Sequence, residues 1–315
     1  MSNKELHVIF GTGPLGMAVM QELSSRGRQV RMINTRGQAA VPAGVEVVKG
    51  DAYSADSAQV LTRDAGVVYQ CAQPAYTQWP QKFPALQQGI LEGTARSGSR
   101  LVIGENLYMY GEVNGPIHEE LPYKATTRKG RTRARMAEAA LSAHQSGRLP
   151  VVIGRGSDFF GPSVLDSSLG ERAILPALKG KTAQMFGKLD IPHTYTYIGD
   201  FARALVLLGD REDAFGQVWH VPNDQPEITQ RQLMNLFFEE VGYKPRMSGM
   251  GRLMLALGGL FIPEARESME MAYEFEQPFV VDSSKFQQAF NMQPTPLREA
   301  VRCTVAWYRE CLDRS

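Results

Sequence analysis

Short apolar runs that alternate with helical stretches constrain this chain more than any single residue does. LHVIF (6–10), QVRMI (29–33), VEVV (45–48), GVVYQCA (66–72), RLVIG (100–104) and PVVIG (150–154) are brief and rich in β-branched residues. Between them lie longer stretches with helix-like spacing, such as LGMAVMQELSSRG (15–27) and ARMAEAALSAHQ (134–145). A strand–helix–strand repeat joins parallel strands by right-handed crossovers and leaves the sheet covered on both faces. The reading is α/β, a doubly wound parallel sheet. After residue 161 the rhythm loosens. HTYTYI (193–198) and GQVWHV (216–221) read as further strands, Thr229 with Gln232 makes a capping box that opens a helix, and residues 249–275 are Met-rich and mostly helical in pattern. Residues 1–162 and 191–222 are assigned to the sheet domain, and 163–190 and 223–315 to a smaller, mostly helical C-terminal region.

The first strand runs directly into GTGPLG, and a helical pattern follows. In that setting Gly-x-Gly-x-x-Gly is the fingerprint of a Rossmann dinucleotide site. Gly11 permits the tight turn, Gly13 lets the backbone approach a pyrophosphate, and Gly16 allows close helix packing. Thr12, Pro14 and Leu15 complete the turn, whose helix end offers amide donors to phosphates. The second strand ends in Asn34-Thr35-Arg36, where an NAD site places an Asp or Glu for the ribose 2′-hydroxyl. Asn34 can donate a hydrogen bond without repelling a phosphate, and Arg36 can form charge-assisted bonds to one. NADP(H) is therefore the expected cofactor; Arg36 as a solvated surface residue is the competing reading. Asp51, after the third strand, can accept from an adenine amino group, and Ala72 and Gln73 end the fourth strand where backbone lines the cofactor's centre.

Composition excludes several classes. With 34 Lys plus Arg against 33 Asp plus Glu, the chain lacks the basic balance of a protein that coats nucleic acid. Its three cysteines, Cys71, Cys303 and Cys311, have no metal-ligand spacing, so no metal is expected. The longest apolar stretch, LMLALGGLFIP (253–263), is shorter than the roughly 20 residues that span a bilayer. The first strand begins close to Met1, leaving no room for a signal peptide. These features fit a cytoplasmic protein with reduced thiols and no nucleic-acid or membrane partner. Against that neutral background RKGRTRAR (128–135) is a local basic feature, open to reading as a solvated helical face or as part of a site.

Taken together, GTGPLG, LYMYG (107–111), RGSDFFGP (155–162) and HTYTYIGDFARAL (193–205), with its helix-opening Asp200, resemble the extended short-chain dehydrogenase/reductases of the epimerase/dehydratase type. That family carries Tyr-x-x-x-Lys on a helix crossing the nicotinamide; its Lys binds the ribose and lowers the pKa of the Tyr, which exchanges a proton with substrate. Counting from Tyr-Gly, the slot falls here on Lys129 and Arg133, one helical turn apart on one face. The resemblance thus implies that RKGRTRAR is the altered catalytic helix. Arg133 could keep the ribose contact. Lys129 becomes a usable acid if burial beside a second cation lowers its pKa. The family's catalytic Ser or Thr becomes Asn106, which can donate to a carbonyl oxygen, and Tyr108 is a nearby phenol.

Sugar-nucleotide enzymes of the family bind a diphosphate through an Asn and an Arg at positions held here by Asp158 and His193. An aspartate would repel that group, so a nucleotide sugar is not the expected substrate. Asp158 and His193 could form an acid/base couple or a structural pair. The leading expectation is an NADP(H)-dependent oxidoreductase acting on a small, uncharged or hydrophobic carbonyl compound, with the segment 249–275 as an apolar lid. The alternatives are an NADP-binding sensor without catalysis and a redox-neutral epimerase or dehydratase. A homodimer is common in the family, but nothing in this chain requires one.

Overall fold

The computed structural model describes residues 5–251 and 263–313. Its elements run β1 (Leu6–Phe10), α1 (Pro14–Ser25), β2 (Gln29–Asn34), β3 (Glu46–Lys49), α2 (Ala55–Leu61), β4 (Ala65–Gln70), α3 (Trp79–Ser97), β5 (Arg100–Glu105), α4 (Arg128–Gln145) and β6 (Val151–Arg155). There follow β7 (Asp158–Phe160), α5 (Leu175–Leu178), β8 (Ala183–Phe186), β9 (Tyr195–Tyr197), α6 (Ile198–Asp210), β10 (Val218–His220), α7 (Gln230–Val241) and β11 (Met247–Met250). The chain divides into two compact units: Met1–Met109, Arg128–Arg155 and Phe201–Trp219 form one, and Tyr110–Thr127, Gly156–Asp200 and His220–Ser315 the other. These boundaries differ from those read in the sequence, because residues 110–127, 156–162, 191–200 and 220–222 group with the second unit.

A seven-stranded sheet of order β10-β6-β5-β4-β1-β2-β3 organises the first unit. Strands β1, β2, β3, β4, β5 and β6 pair in parallel, β1 lying between β2 and β4. Val8, Ile9, Val67, Val68, Val102 and Val152 are all fully buried, as expected for a sheet covered on both faces. Helix α1 packs on β1 and β2, α3 on β4 and β5, and α4 on β6. Strand order reverses between β1 and β4, the switch point at which doubly wound sheets bind ligands. Helix α4 starts at Arg128, earlier than the run read from residue 134, so the basic run forms its first two turns.

The second unit is built on two short parallel pairs, β7 with β9 and β8 with β11. Strands β7, β8 and β11 are too brief to announce themselves as apolar runs in sequence. Its core gathers Phe160, Leu169, Ile174, Leu233, Phe237, Phe238 and Val301. The capping box forms as read: Thr229 Oγ1 accepts from Gln232 N at 3.1 Å, and Gln232 Oε1 accepts from Thr229 N at 2.9 Å. Of the Met-rich segment 249–275, residues 252–262 lie outside the described residues, and with them part of the expected apolar lid. Its described remainder holds a helix, Pro263–Ser268, and a 3-10 turn, Met269–Phe275.

Phe237 is fully buried and meets Phe160 edge to face with ring centroids 6.0 Å apart. Truncating it leaves a cavity that a close-packed core cannot fill by collapse. Phe237→Ala is expected to cost about 3–5 kcal/mol, read from urea unfolding of the purified protein.

Candidate functional site

At the switch point the glycine turn is shaped by what a side chain would strike. Gly11 has φ +106°, and a Cβ there would lie 2.7 Å from the Ala72 backbone nitrogen. A Cβ on Gly16 would collide with the Gly11 carbonyl oxygen, so α1 can leave β1 this closely only with glycine there. Gly13, the N-cap of α1, is different: nothing lies within 4 Å of the place a Cβ would take. Protein packing thus accounts for Gly11 and Gly16 and leaves Gly13 facing open space. Pro14 opens the helix, where its missing N–H costs nothing. The first turn of α1 carries no acid to compete with an anion for its free amides.

The loop after β2 is organised by Asn34. Its Oδ1 accepts from Arg36 N at 2.9 Å and Gly37 N at 2.6 Å, while its Nδ2 donates to Thr12 Oγ1 at 3.0 Å and Gln38 O at 2.9 Å. Both amide protons are thus spent on the protein, and Asn34 ties the glycine turn to the β2 loop. Arg36 stands exposed on that loop, with no ion-pair partner among the described residues. Asp51 is exposed as well; its Oδ1 accepts from Tyr53 N at 2.9 Å. Ala72 lines the turn through its backbone, and Gln73 is exposed beside it.

Helix α4 divides the basic run by face. Arg128, Arg131 and Arg135 are exposed, whereas Lys129 is fully buried and Arg133 only 3% exposed. Lys129 Nζ stands 4.4 Å from the centre of the Tyr76 ring. The Arg133 guanidinium lies over Phe83 at 4.7 Å and Trp79 at 5.4 Å. Its Nε donates to Asn106 Oδ1 at 3.3 Å and lies 3.7 Å from Glu105 Oε1. The other Glu105 oxygen, Oε2, accepts from Arg155 Nε at 2.8 Å. Burial pulls the Arg133 pKa below the ordinary arginine value, the Glu105 charge opposes that, and Arg155 adds to it. Arg133 Nη1 is sealed from solvent without a hydrogen-bond partner within the protein. Tyr108 is half-buried, its ring 6.0 Å from Trp79 and its backbone N donating to Asn106 Oδ1 at 3.3 Å. Sequence reading placed Asn106, Lys129 and Arg133 but missed Glu105, Arg155, Tyr76 and Trp79. The acid directly before Asn106 was the available signal.

In the second unit Asp158 and His193 meet, as the sequence suggested they could. His193 Nε2 lies 2.8 Å from Asp158 Oδ2, and Nδ1 lies 3.0 Å from the Glu274 carbonyl oxygen. A carbonyl only accepts, so Nδ1 is the donor in that contact. The His193 ring stacks on Phe275 at 4.7 Å and packs on Tyr195 at 4.6 Å. Asp158 keeps 21% of its side chain exposed, so one carboxylate edge is reachable from solvent. Nearby Glu274 is sealed from solvent, its Oε1 without a partner; burial first, then the charge of Asp158, pushes its carboxyl well above the usual range. The same two causes raise the Tyr195 phenol. Neither residue was singled out in sequence.

A parallel sheet with this strand order, a glycine turn at its switch point and a helix end behind it define a dinucleotide-binding α/β protein. The model of the NAD dependent epimerase/dehydratase family matches residues 8–221, and the chain belongs to that family. Among solved structures it is similar to the UDP-glucuronic acid 4-epimerase of Bacillus cereus in complex with UDP-glucuronic acid and NAD, at 18% identity, covering 97% of this chain and 99% of that one, with a TM-score of 0.78. It is also similar to the dTDP-glucose 4,6-dehydratase of Streptomyces venezuelae with NAD bound, at 16% identity, 97% coverage of both chains and a TM-score of 0.79. The UDP-N-acetylglucosamine 4-epimerase of Bacillus cereus gives 13% identity, 97% and 96% coverage and a TM-score of 0.78. No curated protein matches the chain. Among the described residues no helix is long and apolar enough to cross a membrane, and no cluster of ligating side chains could hold a metal ion. The residues around Gly13 fit a dinucleotide: the turn is open where a pyrophosphate would approach, and α1 points its free amides there.

Two substitutions separate ligand from packing. Gly13→Ala should cost at most about 1 kcal/mol of stability, since only the N-cap preference is lost, yet weaken dinucleotide binding about tenfold or more. Gly16→Ala should lower Tm outright. Calorimetric titration beside thermal unfolding reads both.

Glu274 gives a pH signature. Below the ordinary carboxylate range both folded and unfolded forms hold the proton, and stability is at its full value. As pH rises the unfolded chain ionises first, so stability falls by at most about 1.4 kcal/mol per pH unit until the buried acid ionises too. Glu274→Gln cannot ionise. It should be no more stable than the parent at about pH 4 and clearly more stable at about pH 8 in thermal unfolding.

Proposed function

We propose that the protein is an NADP(H)-dependent oxidoreductase acting on a small, uncharged or hydrophobic carbonyl compound. The observation that carries the reading is the Asn106 amide. Its oxygen is taken by Arg133 Nε and by Tyr108 N, which leaves the amide N–H groups to donate to a carbonyl oxygen. A bound nicotinamide dinucleotide supplies a hydride equivalent. Asn106 would polarise the substrate oxygen, drawing charge toward it as the carbon is reduced. Lys129 or Tyr108 would deliver the proton that oxygen then takes. Burial of Lys129 excludes bulk water from that transfer.

Arg36 supports NADP(H) over NAD(H). It is exposed at the end of β2, where no carboxylate stands to repel a 2′-phosphate. Two of the solved structures named above contain NAD, so the cofactor choice rests on this chain's own loop. Asp158 argues against a diphosphate substrate, because its reachable carboxylate would repel one. A second reading, a redox-neutral epimerase or dehydratase, is favoured by the family and by the activities named for the similar structures.

Calorimetric titration with NADPH and then NADH tests the cofactor. NADPH should bind more tightly, and Arg36→Ala should weaken NADPH by about tenfold to a hundredfold while leaving NADH unchanged. Tighter NADH binding by the parent would overturn the assignment. Net NADPH oxidation with uncharged aldehydes and ketones then separates the two readings, since a redox-neutral enzyme consumes none. In that assay Lys129→Ala should abolish turnover and spare cofactor binding; unchanged turnover removes Lys129 from the chemistry.

A further inference from the structure

The carboxylate at the end of β5 has no use in the reading above, yet it is 3% exposed and lies between two buried guanidiniums. Taking a carboxylate and two guanidiniums out of water is costly, and such a group is retained where its geometry does something. We infer that Glu105 and Arg133 form a positioning relay that fixes which way the Asn106 amide points. This rests on the proposed role of Asn106 as donor to a carbonyl oxygen.

Each link has a contact. Arg155 Nε anchors Glu105 through Oε2 at 2.8 Å, which turns Oε1 toward Arg133 Nε, 3.7 Å away. The ring faces of Phe83 and Trp79 hold the guanidinium plane. Held there, Arg133 presents Nε to Asn106 at 3.3 Å, and Tyr108 N reaches the same oxygen from the following turn at the same distance. Both partners are donors, so the Asn106 atom that faces them must be Oδ1, and the NH2 group is turned the other way. An asparagine free to flip would present oxygen and nitrogen alike, and its oxygen would repel a substrate carbonyl. Arg133 is thus a positioning residue in place of the ribose-binding lysine of the family, and Glu105 keeps its charge in place.

The experiment pairs a spectroscopic readout with kinetics. The side-chain amide signals of Asn106, identified by their loss in Asn106→Asp, are followed by nuclear magnetic resonance in the parent, Glu105→Gln and Arg133→Met. Both variants should shift or broaden these signals; signals unchanged in both would overturn the relay. In NADPH oxidation with uncharged carbonyls, Glu105→Gln should lower kcat about tenfold with an unchanged KM for NADPH. It should cost less than about twofold further in an Asn106→Ala background. Equal losses in both backgrounds would show that Glu105 acts independently of Asn106 and would overturn the relay. Should Glu105→Gln not fold, Arg133→Met, which keeps the apolar stem on the rings, carries both measurements. Absence of any NADPH oxidation by the parent would remove the carbonyl reading, while the resonance experiment would still decide whether the relay orients Asn106.

Discussion

The Gly11 carbonyl oxygen occupies the space that a side chain on residue 16 would need, and the first unit is arranged around that contact. It sets how closely α1 follows β1. With α1 in place, the Gly11 amide reaches the Ile33 carbonyl at the end of β2 and Cys71 N reaches the Phe10 carbonyl from β4. The three strand ends that border the switch point are thereby held to one another through their backbones, and the Asn34 side chain adds a tie to Thr12. Asn34 is fixed on this rim by four hydrogen bonds, while Arg36 and Asp51 stand exposed beside it.

The second organising constraint is the burial of charge on α4. A helix that opens with five basic residues in eight would ordinarily present them to water. Here the helical period sends Lys129 and Arg133 inward and Arg131 and Arg135 outward, and the inward pair meets aromatic faces and one carboxylate. A guanidinium suits this setting better than an ammonium because it is planar, stacks on rings and is less strongly hydrated. Three separate stretches must meet to make it: the strand end at Glu105, the turn at Tyr76 and the first turns of α4.

That convergence explains what could be read in sequence and what could not. The strands of the large sheet were legible because burial on both faces demands unbroken β-branched runs, and GTGPLG was legible because its glycines answer to local geometry. Asn106, Lys129 and Arg133 were singled out through the family resemblance, by counting from Tyr-Gly to the family's catalytic slots. Glu105 was in plain view, but an acid at a strand end reads as solvated until Arg133 and Arg155 are known to lie beside it. Glu274 is 81 residues from His193 along the chain, and nothing local marks it as a buried acid. Tyr76 and Trp79 read as ordinary loop and helix aromatics until α4 is laid over them.

The Asp158–His193 couple has one further property. Oxygens of the Glu274 backbone and of Asp158 face both ring nitrogens, so both are engaged within the protein. Any group that reaches the pair from solvent therefore meets the other oxygen of the Asp158 carboxyl, an acceptor. The second unit thus offers one fixed acceptor, whose charge is also felt by the buried Glu274 and Tyr195.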